Sequence, residues 1–302
     1  MQLLSQSYSA GAAEWLSSNN SAHVFSSFER ACNLIDEQGR FIAIVHNTIG
    51  NGPFTIVLEE LPLSLEQMLS VGAPVVVGKN SLTVNTTTID FSEATLWSAR
   101  LDWDYPKERP HHFRKNIRDL YLTVQNNASD GSVSIILCST KENMGYVCTK
   151  VAESAQQLYR GIVSGNIQEI YVGAANMAGL GVGLTPAGDD FLIGVMYALW
   201  AIFDQKDAAR WSRTIADAAS SRTTMLSGAM LQQSANGHAS ENWHALVDVL
   251  CKENVTDVTR ACMDILSLGH TSGADALTGF LLSIDCLSDH VSFGLGDLYY
   301  EN

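Results

Sequence analysis

The chain is poor in charge and poorest in positive charge. Charged residues make up only 17% of its 302 positions, and Asp and Glu outnumber Lys and Arg by 32 to 18, a net charge of -14 with a pI near 4.8. A nucleic-acid phosphate backbone needs a basic face, so binding of that kind is not expected. The N-terminus has neither the basic run nor the apolar stretch of a secretory signal, and a cytoplasmic location is the default expectation. The longest uncharged run with a marked helix start, Phe191 to Phe203, has thirteen residues, and spanning a bilayer takes roughly 20, so no membrane role is expected. Six cysteines, Cys32, Cys138, Cys148, Cys251, Cys262 and Cys286, are scattered without a Cys-x-x-Cys pair, which suits reduced thiols better than disulfides or a metal. No Gly-Lys-Ser/Thr sequence closes a phosphate loop, which disfavours a nucleotide-dependent kinase or hydrolase. Nor does a serine or cysteine sit in a recognisable nucleophile elbow, so no covalent intermediate is expected.

What the chain does have is an apolar content of 46%, enough for an ample core in two domains or one large one. Its most informative stretch runs from Gly179 to Asp190, Gly-Leu-Gly-Val-Gly-Leu-Thr-Pro-Ala-Gly-Asp-Asp, and leads directly into Phe191 to Phe203. Three alternating glycines, Gly179, Gly181 and Gly183, permit backbone conformations closed to other residues and leave amides unshielded. Thr185 fits an N-cap and Pro186 a first helical position, with Asp189 and Asp190 in the first turn, where carboxylates favour the helix dipole. Two readings compete: a well-capped helix start, or a ligand site in which loop amides receive an anion. In the second, Asp189 and Asp190 handle protons or hold Mg2+.

The device occurs twice. Gly188 to Gly194 and Gly273 to Gly279 both obey Gly-x-Asp-x-Leu-x-Gly, and the second follows Gly269-His270-Thr271-Ser272. Close packing of two core helices explains Gly194 and Gly279 but not the aspartates. The expected geometry therefore brings both helix starts to one cleft, with Asp189 and Asp190 on one side and Asp275 with His270 on the other. Ser221-Arg222-Thr223-Thr224 places one guanidinium among hydroxyls, a composition suited to a carboxylate or phosphate. An ordinary helix cap with a solvated arginine is the alternative. His111 and His112 are adjacent, so on a helix they diverge, and no third ligand is near in sequence.

From Ala22 to Trp103 short β-rich runs at Phe41–Val45, Thr55–Leu58, Pro74–Val77 and Ser81–Val84, separated by Gly50-Asn51-Gly52-Pro53 and Gly78-Lys79-Asn80, predict a small barrel or sandwich. A single helical turn fits Ser64 to Ser70. The proline-bearing stretch Asp102 to His112 reads as a junction, and helices dominate beyond it. The expected class is α+β: a β-rich domain over 1–110 and a mainly helical domain over 111–302, whose two glycine-rich helix N-termini face one cleft. The glycine-punctuated, acidic tail from Ser288 carries no further signal.

Gly179 to Gly194 resembles the Gly-Leu-Gly-x-Gly-Leu-Thr-Pro-x-Gly-Asp-Asp-x-Leu-x-Gly signature of the AllH-like family, which is associated with the oxamate carbamoyltransferase of allantoin breakdown. Arg222-Thr223-Thr224 with Leu226-Ser227, Leu231, Ala235, Gly237 and His244-Ala245-Leu246 is similar to the family's middle segment, and Gly269 to Asp275 to its C-terminal one. Weaker similarity reaches Ile49 to Pro53 and Trp103. Val182 and Ala187 depart from the pattern, standing where it has Pro and Ser. The resemblance implies a subunit, acting beside two unrelated ones, in carbamoyl transfer between oxalurate and phosphate during purine catabolism, with oxamate and carbamoyl phosphate on the other side. One of those partners resembles an acyl-CoA synthetase subunit. The resemblance carries no catalytic residues, so roles are read from the residues themselves. Gly181, Gly183 and Thr185 suit phosphate or an oxyanion; Arg222, Thr223, Thr224, Thr271 and Ser272 suit the substrate; His270 suits an acid or base; and Asp189, Asp190 and Asp275 orient it or hold Mg2+. The competing expectation is a non-catalytic subunit that binds a metabolite or organises the assembly.

Overall fold

The computed structural model describes residues 1–18, 21–138, 144–253 and 255–288. The tail beyond Ser288 lies outside them. Two compact units divide the chain: Met1–Leu101 together with Ala239–Glu241, and Asp102–His238 with the described residues from Asn242 onward.

Among the described residues of the first unit nine strands form one sheet: β1 Gln2–Ser9, β2 Ser21–Ser27, β3 Ala31–Ile35, β4 Phe41–His46, β5 Thr55–Leu58, β6 Pro74–Val77, β7 Ser81–Val84, β8 Thr87–Asp90 and β9 Thr95–Trp97. They run in the order β5-β4-β3-β2-β6-β7-β8-β1-β9, and β1 pairs back onto β5, closing an eight-stranded barrel. The strand that closes it is therefore the first. β1 lies antiparallel to β5 along one edge, while along the other it runs parallel first to β8 and then to β9.

β1 lay outside the stretch expected to be strands, for a physical reason. Its buried face is Leu3, Ser5, Ser7 and Ser9, so apolar alternation is masked by inward hydroxyls. Each hydroxyl donates to an acceptor: Ser5 to the Asp90 carbonyl at 3.1 Å, Ser7 to Asn51 Oδ1 at 2.7 Å and Ser9 to the Pro53 carbonyl at 2.9 Å. Buried polar groups are tolerated on those terms. The barrel core is mainly apolar, with Leu34, Ile42, Ile44, Ile56, Leu58 and Leu82 fully enclosed. Two helices, α1 Ala10–Ser18 and α2 Leu65–Met68, add Trp15 and Leu65 to this core. Glu241 belongs to this unit and accepts from Asn51 through both the backbone N–H, at 2.8 Å, and Nδ2, at 3.0 Å.

The second unit is helical. Its first two helices are α3 Tyr105–Glu108 and α4 Pro110–Asn127, and a 3-10 turn follows at Val133–Leu137. Then come α5 Tyr146–Ser164, α6 Ile167–Met177, α7 Ala187–Ile202, α8 Gln205–Ala219, α9 Met225–Ala235, α10 Glu241–Leu250, of which all but the first residue belong to this unit, α11 Val255–Leu266 and α12 Ser272–Leu287. α7 is the axis: from Gly188 to Ile202 every residue is buried. α12 crosses it so closely that a Cβ on Gly194 would stand 1.8 Å from the Ala276 carbonyl oxygen, and one on Gly279 would stand 2.1 Å from that of Phe191. Only glycine admits a neighbouring backbone at that range. Around the crossing Phe280 packs edge-on against Phe113 and Trp243, and Trp103 stacks on Tyr197 with ring centroids 5.5 Å apart.

Candidate functional site

The reciprocal glycine contacts bring the first turns of α7 and α12 together. Thr185, just ahead of α7, and Ser272, first residue of α12, place their hydroxyl oxygens 2.9 Å apart. The α7 start differs by one residue from the sequence expectation. Pro186 is the N-cap, with ψ of 145°, and its carbonyl accepts from the amides of Asp189 at 2.9 Å and Asp190 at 3.2 Å. Thr185 is thereby freed from capping, and its hydroxyl meets the second helix start instead.

The loop above this junction needs its glycines. Gly179, Gly181 and Gly183 have φ of 72°, 118° and 96°, in the region that side chains strain to enter. The turn is pinned below by Leu180 N–H to the Met177 carbonyl and Gly188 N–H to the Leu180 carbonyl. Among the described residues the amides of Gly181, Val182, Gly183, Leu184 and Thr185 find no acceptor. Val182, at the tip, is 92% exposed.

The three aspartates have separate employments. Asp189 is saturated: Oδ1 accepts from Gly179 N–H at 3.0 Å, and Oδ2 from Ser227 Oγ at 2.9 Å and from the Thr223 hydroxyl. It ties the glycine loop to the start of α9. Burial raises its pKa, and those three donors oppose the rise. Asp190 is not saturated. It is 6% exposed, and its Oδ2 has no hydrogen-bond partner among the described residues. Burial lifts its carboxyl well above the usual range; Ser272 opposes this, the charges of Asp275 and Asp189 add to it, and Thr185 opposes it again. Asp275, fully buried, accepts from Val133 N–H at 2.6 Å through Oδ1, while Oδ2 is unpartnered. Burial pushes it up to about 6 against the Val133 amide and the Thr271 hydroxyl. An orphaned carboxylate oxygen in a dry interior favours a proton on the group.

The remaining expected residues are placed differently. The Arg222 guanidinium lies 5.5 Å over the Tyr171 ring and donates to the Ala218 carbonyl at 2.6 Å and to Tyr171 Oη at 3.3 Å. Thr224 caps α9, accepting from Ser227 N–H at 3.1 Å and donating to the Leu184 carbonyl at 2.5 Å. The trio Arg222, Thr223 and Thr224, expected to grip a substrate, thus has its polar groups engaged within the unit. His270 is exposed, with no hydrogen bond among the described residues. A Mg2+ held by Asp189 and Asp190 does not fit, because Asp189 has both oxygens committed to donors, and no group of three acidic, His or Cys side chains among the described residues could hold a metal.

Sequence reasoning missed Ser227 and Val133 as partners of the buried carboxyls. Ser227 lies in the similar middle segment and could have been singled out; Val133 contributes a backbone amide, which no side-chain pattern reveals. Beyond Val133, a cavity of about 570 Å³ is lined by Gln125, Ser132, Ser134, Tyr146 and Cys148, among others. Burial, and then the charge of Asp275, raise the Cys148 thiol.

A closed β-barrel, and a helical unit whose buried carboxyls gather where two glycine-led helices begin, define an α+β protein with a candidate small-ligand site. Among the described residues no helix is long and apolar enough to cross a membrane. The family model described as oxamate carbamoyltransferase subunit AllH matches residues 177–284, and that of the AllH family N-terminal domain matches residues 4–96. Together they cover most of the chain, which belongs to the AllH family and is by that description one subunit of a complex. No solved structure matches it.

Proposed function

We propose that the α7–α12 junction is the reaction site of an oxamate carbamoyltransferase, moving a carbamoyl group between oxalurate and phosphate in purine catabolism. The observation that carries this reading is Asp190: a buried carboxyl with an unpartnered oxygen, set beside the hydroxyl pair that joins the two helix starts.

The reaction fits a carboxyl of that kind. A phosphate oxygen attacks the carbamoyl carbon of oxalurate, an oxygen–carbon bond forms, and the carbon–nitrogen bond to the oxamate nitrogen breaks. The phosphate loses its proton and the departing nitrogen needs one, so one acid that gives and regains a proton balances the exchange. Asp190, kept protonated by burial, does this through the hydroxyls of Thr185 and Ser272, and Asp275 biases it electrostatically. The free amides from Gly181 to Thr185 receive the phosphate or the tetrahedral oxyanion, and Thr271, the N-cap of α12, sets its hydroxyl against Asp275. In this scheme Asp189 positions the loop.

The test is reconstitution with the other subunits, following carbamoyl phosphate and oxamate in either direction. Asp190→Asn is expected to lower turnover by about 10²- to 10⁴-fold, the usual worth of a positioned acid. Parental turnover in that variant would remove the assignment.

A further inference from the structure

Two of the loop amides have their direction set by the carbonyl across the same peptide bond. The Leu180 carbonyl accepts from Gly188 N–H at 2.9 Å, and the Leu184 carbonyl accepts from the Thr224 hydroxyl at 2.5 Å. In a trans peptide unit C=O and N–H lie in one plane and point opposite ways, and both of these units are trans. The Gly181 N–H is thus turned away from the first turn of α7, and the Thr185 N–H away from the start of α9. That start is itself firmly held. The Thr224 hydroxyl also accepts from Ser227 N–H at 3.1 Å, and Ser227, fully buried, donates to Asp189 Oδ2 at 2.9 Å.

Thr185 joins such an aimed amide to the hydroxyl that meets Ser272 at 2.9 Å, beside the unpartnered oxygen of Asp190. The reaction needs the two functions side by side. Its tetrahedral intermediate carries the oxyanion and the departing nitrogen on one carbon, so the group that meets the first and the group that protonates the second must be neighbours. We propose that the Thr185 N–H is the donor that receives the oxyanion, that Thr224 is the positioning residue that aims it, and that the amides from Gly181 to Leu184 are left for phosphate. This rests on the reading of the junction as the site of carbamoyl transfer. The oxyanion appears only on the way through the reaction, so an amide assigned to it acts on kcat, whereas one assigned to phosphate acts on KM.

The experiment measures kcat and the KM for phosphate in the enzyme reconstituted with its other subunits. Thr224→Val is expected to lower kcat by about 10²-fold and to leave the KM for phosphate within a factor of about three, while Thr224→Ser restores kcat. The valine also deletes the cap of α9. Asp204→Ala controls for this: it deletes the N-cap of α8, whose side chain accepts from the Lys206 and Asp207 amides, and is expected to lower the melting temperature at parental kcat. An ester in place of the Leu184–Thr185 amide, introduced with the α-hydroxy analogue of threonine, removes the N–H and keeps the side chain. It is expected to lower kcat by about 10²- to 10³-fold. Parental kcat in the valine variant or in the ester overturns the proposal, as does an Asp204→Ala that loses kcat as Thr224→Val does. A KM for phosphate that rises at least about tenfold at unchanged kcat would give the Thr185 amide to phosphate instead. Asp190→Asn separates the two ideas. Parental turnover there removes the functional reading, whereas an inactive Asp190→Asn beside a parental Thr224→Val removes this inference alone.

Discussion

Asp275 gives the clearest consequence at the scale of one residue. Its carboxyl moves from an ordinary 3.8 to about 6 in the folded chain, so the folded state binds the proton more tightly than the unfolded one. Such a group contributes stability that is fully present below the unfolded value and is lost as pH rises through the folded one, by roughly 3 kcal/mol across that window. Asp275→Asn keeps an oxygen for the Val133 amide and has no charge to bury. The difference in melting temperature between variant and parent is therefore expected to favour the variant increasingly from pH 4 to pH 7.5, while carbamoyl transfer falls. A difference that stays flat over that range would show that Asp275 titrates normally. Thr223→Val tests the neighbouring clamp. It leaves Asp189, fully buried, one donor short, and an unsatisfied buried acceptor costs about 1–3 kcal/mol, more when charged. Expected are a lower melting temperature and a weaker KM for phosphate as the glycine loop loosens, whereas Thr223→Ser restores both. Sequence singled out these carboxyls because Asp in the first turn of an apolar helix is conspicuous. It could not show that Asp189 is saturated and Asp190 is not, since that depends on Ser227 and Gly179, far apart in the chain and brought together by the loop.

Among the elements, α7 and α12 were legible because each joins a glycine lead, a short polar cap and a long apolar run. The contact between them was legible too, through the repeated Gly-x-Asp-x-Leu-x-Gly. β1 was hidden, since serines carry its buried face and find acceptors only after the barrel closes. The crossing makes a sharp demand on both helices. A methyl on Gly194 would overlap the Ala276 carbonyl and one on Gly279 the Phe191 carbonyl, and neither obstacle is a movable side-chain end. Gly194→Ala is expected to cost at the upper end of the about 1–3 kcal/mol typical of overpacking, or more. With about 2–4 °C per kcal/mol for domains of 150–250 residues, differential scanning calorimetry should register a fall of several degrees. Prising the helices apart also separates Thr185 from Ser272, so turnover should fall further than stability alone explains. An alanine variant with parental melting and turnover would mean that the helices cross less closely than the glycine contacts require.

For the molecule as a whole, charge sets the terms on which anions arrive. A net charge of -14 makes a field that repels phosphate, and its reach depends on salt, the Debye length being about 30 Å at 0.01 M and about 8 Å at 0.15 M. Phosphate binding to the isolated chain is therefore expected to strengthen as ionic strength rises, with a bulky non-competing anion such as gluconate as the salt. Calorimetric titrations of the isolated chain with inorganic phosphate between 10 and 150 mM potassium gluconate read that dependence directly. An affinity that weakens as salt rises would mean that attraction at the loop amides of Gly181 to Thr185 outweighs the field of the net negative charge.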